Sequence, residues 1–129
     1  MYANLQNASV AKVGSKDSIV IVDNFQSIRG GRTLDTTGFA PLVIEAGHVI
    51  IEKTSTGDLL PMPVSGAAYA ALPASHTYKG VLAATISTDK PFAAIMVRGT
   101  INPVAAPYDF ATIAAAVKTA LPLIDQRAD

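Results

Sequence analysis

Two apolar runs in the second half of the chain, Tyr78 to Ile86 and Phe92 to Ile101, constrain its fold more than any other feature. Both are rich in β-branched side chains, and the Ser87-Thr88-Asp89-Lys90 segment between them has the residue types of a compact hairpin turn. A strand with one face in water alternates apolar and polar residues. In the first run the even positions hold Leu82, Ala84 and Ile86 and the odd ones Val81, Ala83 and Thr85, so neither face is wet. Strands of this kind are covered on both faces, by another layer or by a neighbouring subunit.

The remaining segments point to the same class. Ser18 to Val22 is β-branched and apolar, a strand punctuated by Asp23-Asn24, and Phe25 to Pro41 reads as a long structured loop around Gly30-Gly31. Leu42 to Lys53 carries β-branched residues on both sides of Ala46-Gly47, and the TSTGD turn at 54–58 leads into Leu59-Leu60, which predicts a hairpin. Pro61, Pro63 and Pro73 each remove a ladder donor, so 61–76 belongs at an edge or in a surface loop. One helix is expected from Asp109 to Leu121, with Asp109 as N-cap, Phe110, Ile113 and Val117 on its core face and Pro122 as its stop. Ala114 to Ala116 would let it approach a sheet closely, and the tail after it either pairs as a short final strand or trails. The predicted fold is mainly β (α+β): a small β-barrel-like or β-tulip domain of short antiparallel strands over 17–129, with one C-terminal helix. Residues 1–16, where Tyr2, Leu5, Val10 and Val13 are isolated apolar points, read either as an extended N-terminal arm suited to adding as a strand to another protein's sheet edge or as a terminus without a role.

Charge and composition narrow the function. Charged residues make up 16% of the chain and hydrophobic ones 50%, against about 25% charged in ordinary domains. Either part of the folded surface is buried against other chains, or the excess reflects alanine in a compact monomer. Ten basic residues balance ten acidic ones, giving no long-range attraction for nucleic acid or an anionic membrane. The absence of cysteine removes disulfides, thiolate catalysis and Cys-ligated zinc. The N-terminus lacks a signal-peptide layout and no apolar run reaches ~20 residues, so cytoplasmic synthesis of a soluble product is expected.

His48 and His76 are the natural suspects for acid-base or metal chemistry. His48 and Glu52 would share a strand face, but a zinc site needs further ligands that the sequence does not supply, and adjacent Ser75 and His76 point apart on a strand. Both histidines therefore read as structural or surface residues that glutamine could replace. No catalytic, metal or cofactor site is expected, and the chain is read as a non-enzyme.

The order of several short motifs carries a resemblance. AGHVIIEKTSTGD at 46–58, KGVLAATI at 79–86, AAIMVRGTINPVAAPY at 93–108 and ALPLI at 120–124 follow one another as in the lambda-type head decoration family of tailed phages. With DNF at 23–25 and GGRTLD at 30–35, the chain is more similar still to small capsid-associated proteins of Bacteroides and crAss-like phages. The resemblance spans most of 18–124 and rests on Gly47, His48, Arg98, Gly99 and Asn102 as structural motif residues. It implies a homotrimer on the outer surface of the virion capsid that reinforces the shell or carries a head fibre. The major capsid protein would be its partner, reached through the arm with Tyr2, Leu5, Val10 and Val13. The segment from Phe25 to Pro41 departs from the lambda pattern. The alternatives are an adhesin module that meets host glycans through a solvent-facing cluster of Tyr2, Tyr69, Tyr78 or Tyr108, and a small hydrolase with His48 or His76 in a pocket beside a nucleophile.

Overall fold

A computed structural model describes residues 17–127, so the arm at 1–16, with Tyr2, Leu5, Val10 and Val13, lies outside the described residues. In chain order the elements are α1 (Asp17–Val20), β1 (Ile21–Ser27), β2 (Arg32–Thr33), β3 (Val43–Ile44), β4 (Val49–Lys53), β5 (Leu59–Pro61), β6 (Val64–Ser65) and β7 (Ala68–Tyr69). There follow β8 (His76–Leu82), β9 (Ile86–Ser87), β10 (Phe92–Ala93), β11 (Ile95–Ile101), α2 (Ala114–Ala120) and β12 (Ile124–Gln126). The domain is mainly β and its strands are short and mostly antiparallel, as the sequence predicts. The main sheet runs β1-β11-β8-β4-β5, with β12 alongside β11 in the parallel sense, and it stays open at both ends.

The two central apolar runs pair where expected, with Ile95 opposite Leu82 and Met96 opposite Val81, but they do not form one long hairpin. Beyond those pairs each run breaks: β9 leaves to pair with β3 and β10 with β2. The cause lies far away in sequence. Thr85 donates its backbone N–H and its hydroxyl to the two carboxylate oxygens of Asp17, at 3.0 and 2.7 Å, and its hydroxyl oxygen accepts the Ala46 N–H at 3.1 Å. A residue anchored in this way cannot continue the ladder with β11.

The same anchor corrects two further expectations. Ser18 to Val20 belong to the single helical turn α1, so the strand starts only at Ile21 and runs on through Phe25 into the segment expected to be loop. Val43–Ile44 and Val49–Lys53 do not pair with each other, because the turn at Ala46-Gly47 sends β3 to β9 while β4 joins β8 and β5. The TSTGD hairpin does form, with Glu52 opposite Leu59, and Pro61 ends β5 on the sheet edge, where a missing donor costs no ladder bond.

The predicted helix is shorter than its periodicity suggests. Its core face holds, since Phe110, Ile113 and Val117 are buried, but α2 begins at Ala114 and its N-cap position is Ile113, without a side-chain cap. Asp109 is not the N-cap. Its Oδ1 accepts the Ala111 N–H at 2.9 Å in a tight turn, while its own N–H donates to the Ala67 carbonyl at 2.9 Å, so tertiary pairing takes the residues that would have formed the first turn. Ala115 and Ala116 face solvent, so they do not mediate a close approach to the sheet. The tail pairs as β12.

Both faces of the sheet are covered within the one chain. Val49, Ile51, Val81 and Met96 point into a cluster completed by Met62, Tyr69, Phe110, Ile113, Val117 and Ile124. Ile50, Leu82 and Ile95 point the other way, into a cluster with Leu34, Ile44, Leu59 and Ala93. The wetless strands thus have their second layer inside the subunit, and their pattern does not require a neighbour.

Candidate functional site

The most elaborate polar arrangement surrounds His48, which has no solvent exposure. It lies between Gly47 and the start of β4, and its Nε2 is 2.9 Å from the Met62 carbonyl oxygen. A carbonyl can only accept, so Nε2 carries the proton and Nδ1 is a bare acceptor, without a partner among the described residues. The rings of Phe39, Tyr69 and Tyr108 meet the imidazole edge-on at centroid distances of 5.3, 5.2 and 5.4 Å. Burial drives the imidazole pKa down to about 4, opposed only in part by the Met62 contact, so His48 is neutral at ordinary pH.

Tyr69 completes the arrangement. Its phenol oxygen accepts the N–H of Val49 at 3.1 Å, and burial pushes its own ionisation well above the usual tyrosine range. Tyr69 and Tyr108 also touch each other, and Phe110 closes the far side of Tyr69. Chemically this is a pin: a neutral donor and a phenol hold the 62–69 segment and the 108–110 segment onto the beginning of β4. Without access for a substrate, His48 cannot serve as a general base in this state, and replacing it would disturb four segments. The expectation that glutamine could stand there without consequence is corrected.

The other motif residues are structural too. Gly47 has φ +92°, and a Cβ there would overlap Val20 Cγ1, while its N–H donates to the Leu82 carbonyl at 2.8 Å. At Gly99 a Cβ would overlap the Asp23 carbonyl oxygen, so glycine permits the close approach of β1. The Oδ1 of Asn102 accepts the Val104 N–H at 3.0 Å and turns the chain out of β11. Arg98 is exposed, opposite Gln26 on β1.

His76 is half-buried, with Nδ1 2.8 Å from the Ala74 carbonyl oxygen, at a small cleft of about 110 Å³ that Asp35 also lines. Hydrogen bonds from the Thr37 side chain and backbone hold the Asp35 carboxyl below its usual range. His48 and Glu52 do not come together; Glu52 instead meets Lys79 at 4.0 Å. No group of three or more His, Asp or Glu side chains among the described residues could hold a metal ion.

The outer surface carries two features that sequence reasoning did not single out. Along β1 the register with β11 slips between Ile21 and Asp23 and again between Asn24 and Gln26, leaving Val22 and Phe25 as unpaired extra residues. Both are exposed, Phe25 at 68%, and Ile19 beside them at 55%. The second feature is a groove of about 590 Å³ walled by Pro103, Val104, Pro107, Tyr108 and Phe110, with Asp109 on its lining. An apolar residue at the point where two strands lose register leaves no periodic trace, whereas the proline and aromatic content of 103–110 was a usable signal for the groove. Comparison with protein-family models, with curated proteins and with solved structures finds no match for this chain.

Proposed function

We propose that this chain is a virion structural protein that binds the outer surface of a tailed-phage capsid as a homotrimer, stabilising the shell or anchoring a head fibre. The observation that carries the reading is the β1 edge, where Val22 and Phe25, with Ile19 of the preceding turn α1, present apolar side chains to solvent next to the point at which the described chain begins. A long sheet edge with outward apolar groups invites a second chain. Two further points support it: the order of motifs shared with the decoration family, and the structural role each motif residue other than exposed Arg98 has in this domain. The two-faced strands no longer support the trimer, whose contacts are assigned instead to β1. The glycan-binding alternative called for a solvent-facing cluster of Tyr2, Tyr69, Tyr78 or Tyr108; Tyr69 is buried with Tyr108 packed against it, Tyr78 is half-buried, and Tyr2 lies outside the described residues.

The test is addition of the purified protein to empty capsids assembled from the co-encoded major capsid protein, followed by co-sedimentation and cryo-electron microscopy. Saturable binding with three-fold density on the outer surface is expected. Deleting residues 2–14 should weaken capture tenfold or more, about 1.4 kcal/mol, and Phe25→Asp should shift the light-scattering mass from trimer towards monomer. Absence of capture at micromolar concentration, together with a monomeric mass for the intact chain, refutes the proposal.

A further inference from the structure

The groove beside Tyr108 is open and apolar, and the geometry points to an occupant: we infer that it receives the chain's own N-terminal segment, with Val10 and Val13 seated between Pro103, Val104 and Pro107. Three observations carry this. The first is position. The described chain begins at Asp17, which lines a small recess with Val20, Glu45 and Ala105, and that recess shares Ala106 and Pro107 with the groove. Asp17, to which the 16 preceding residues are attached, thus stands in a recess that adjoins the groove. Val13 is four residues from Asp17 and Val10 seven, a reach of about 13 and 23 Å at ~3.3 Å per residue, so a short tether delivers both at high effective concentration.

The second observation is chemical fit. Val104 is 80% exposed and, with Pro103 and Pro107, presents rigid apolar surface, while the segment offers two valines three residues apart, separated by Ala11 and Lys12. The third is charge. Residues 1–16 contain Lys12 and Lys16 and no acid, whereas Asp109 stands in the groove and Glu45 in the adjoining recess. The ionic part is screened at the surface and orients the segment; the valines supply the burial. The inference concerns the free subunit and stands whether or not the domain meets a capsid. If it does, the groove is a parking site from which the segment must be withdrawn before it can engage elsewhere.

The chain has no cysteine, so Ser9→Cys gives a unique site for a nitroxide label on the full-length protein. Broadening of the amide resonances of Ala67, Val104 and Ala111 is expected, retained on tenfold dilution of labelled into unlabelled chains when only labelled chains carry ¹⁵N. Val10→Asp with Val13→Asp, outside the described domain, should abolish the broadening while leaving the other amide shifts in place. Val104→Asp, on an exposed wall, should reduce it at least fivefold. Broadening along β1, or spread evenly over the surface, overturns the inference. So does broadening seen only when a labelled ¹⁴N chain is mixed with an unlabelled ¹⁵N chain, which would make the occupant a second copy's segment.

Discussion

The two faces of the central sheet are built from opposite kinds of material. One packs Ile50, Leu82 and Ile95 with Leu34, Ile44 and Leu59, a buried layer that is aliphatic throughout, with Phe39 half-buried at its margin. The other packs Val49, Val81 and Met96 against Met62, Tyr69, Phe110 and Ile113, delivered by irregular segments and a short helix, with His48 and the Tyr69 hydroxyl inside the boundary. An aliphatic layer gains stability from area alone and is indifferent to pH. A layer that covers the sheet with loops must give their backbone groups partners, and here the partners are a neutral imidazole and a phenol. One face thus stores stability in packing, and the other makes part of it conditional on the state of a few polar atoms.

The largest effect that would test this division is a charge placed on the loop-and-helix side. Ile113 is 5% exposed and lies in the cluster with Val117 and Met62. Ile113→Asp removes that packing and buries a carboxyl group without a partner, a loss of at least about 4 kcal/mol, a large fraction of the about 5–15 kcal/mol that holds an ordinary domain folded. Thr112→Asp, one residue away and exposed, should change stability by less than about 0.5 kcal/mol. Equal melting temperatures for the two variants would mean that this face is not assembled as described.

Next in size is a paired measurement across the sheet. Leu82→Ala opens a cavity in the aliphatic layer and should cost about 3 kcal/mol at any pH. Acid should find only the other face. His48 binds its proton at about 4 when folded and near 6.5 when unfolded, so between these values the unfolded chain holds more protons and stability rises with pH. Stability is therefore complete above pH 6.5, lower by about 2 kcal/mol at pH 5, and lower by about 3 near pH 4, where the loss levels off. Asp35, whose carboxyl is held below 3.8, adds its own acid loss only beneath that window. Urea titrations from pH 7.5 to 5 would show the slope. His48→Gln should be less stable at pH 7 yet flat across the range. A sloping His48→Gln would locate the acid sensitivity elsewhere.

How much of this was legible in the sequence follows from which forces act locally. β8 and β11 announce themselves because β-branched residues fill both faces, and the TSTGD turn because its residues tolerate its backbone. Phe110, Ile113 and Val117 could be read as one buried face even though the helix starts later, since burial follows spacing and the start depends on whether Asp109 is free. The break at Thr85 could not be read, because its cause is Asp17, 68 residues away. Met62 carries no signal and Tyr69 reads as a surface candidate, since both stand alone among prolines and alanines, and a residue that reaches the core from a loop has no period to betray it. His48 reads from the sequence as a structural or surface residue, and adjacency to Gly47 gives no hint that three rings would enclose it.

The smallest predicted effect separates the polar pin from the packing around it. Tyr69→Phe keeps the ring, and with it the contacts to His48, Tyr108 and Phe110, and removes only the hydroxyl. Its oxygen is the acceptor for the Val49 N–H at 3.1 Å, whereas the bond it donates to the Gly47 carbonyl is long, at 3.5 Å. The loss therefore falls on a buried backbone donor at the first residue of β4, which costs about 1 to 2 kcal/mol when left unmade. Since the ring still excludes water from His48, the acid slope should survive unchanged on a lower baseline. That outcome would show that the hydroxyl holds the backbone and the rings hold the imidazole neutral, two separable duties. If Tyr69→Phe instead flattens the slope, water reaches His48 in the variant, and the hydroxyl must be counted as part of the seal. If stability does not fall at all, the Val49 N–H has another acceptor, and the loop-built face depends on packing alone, like its aliphatic counterpart.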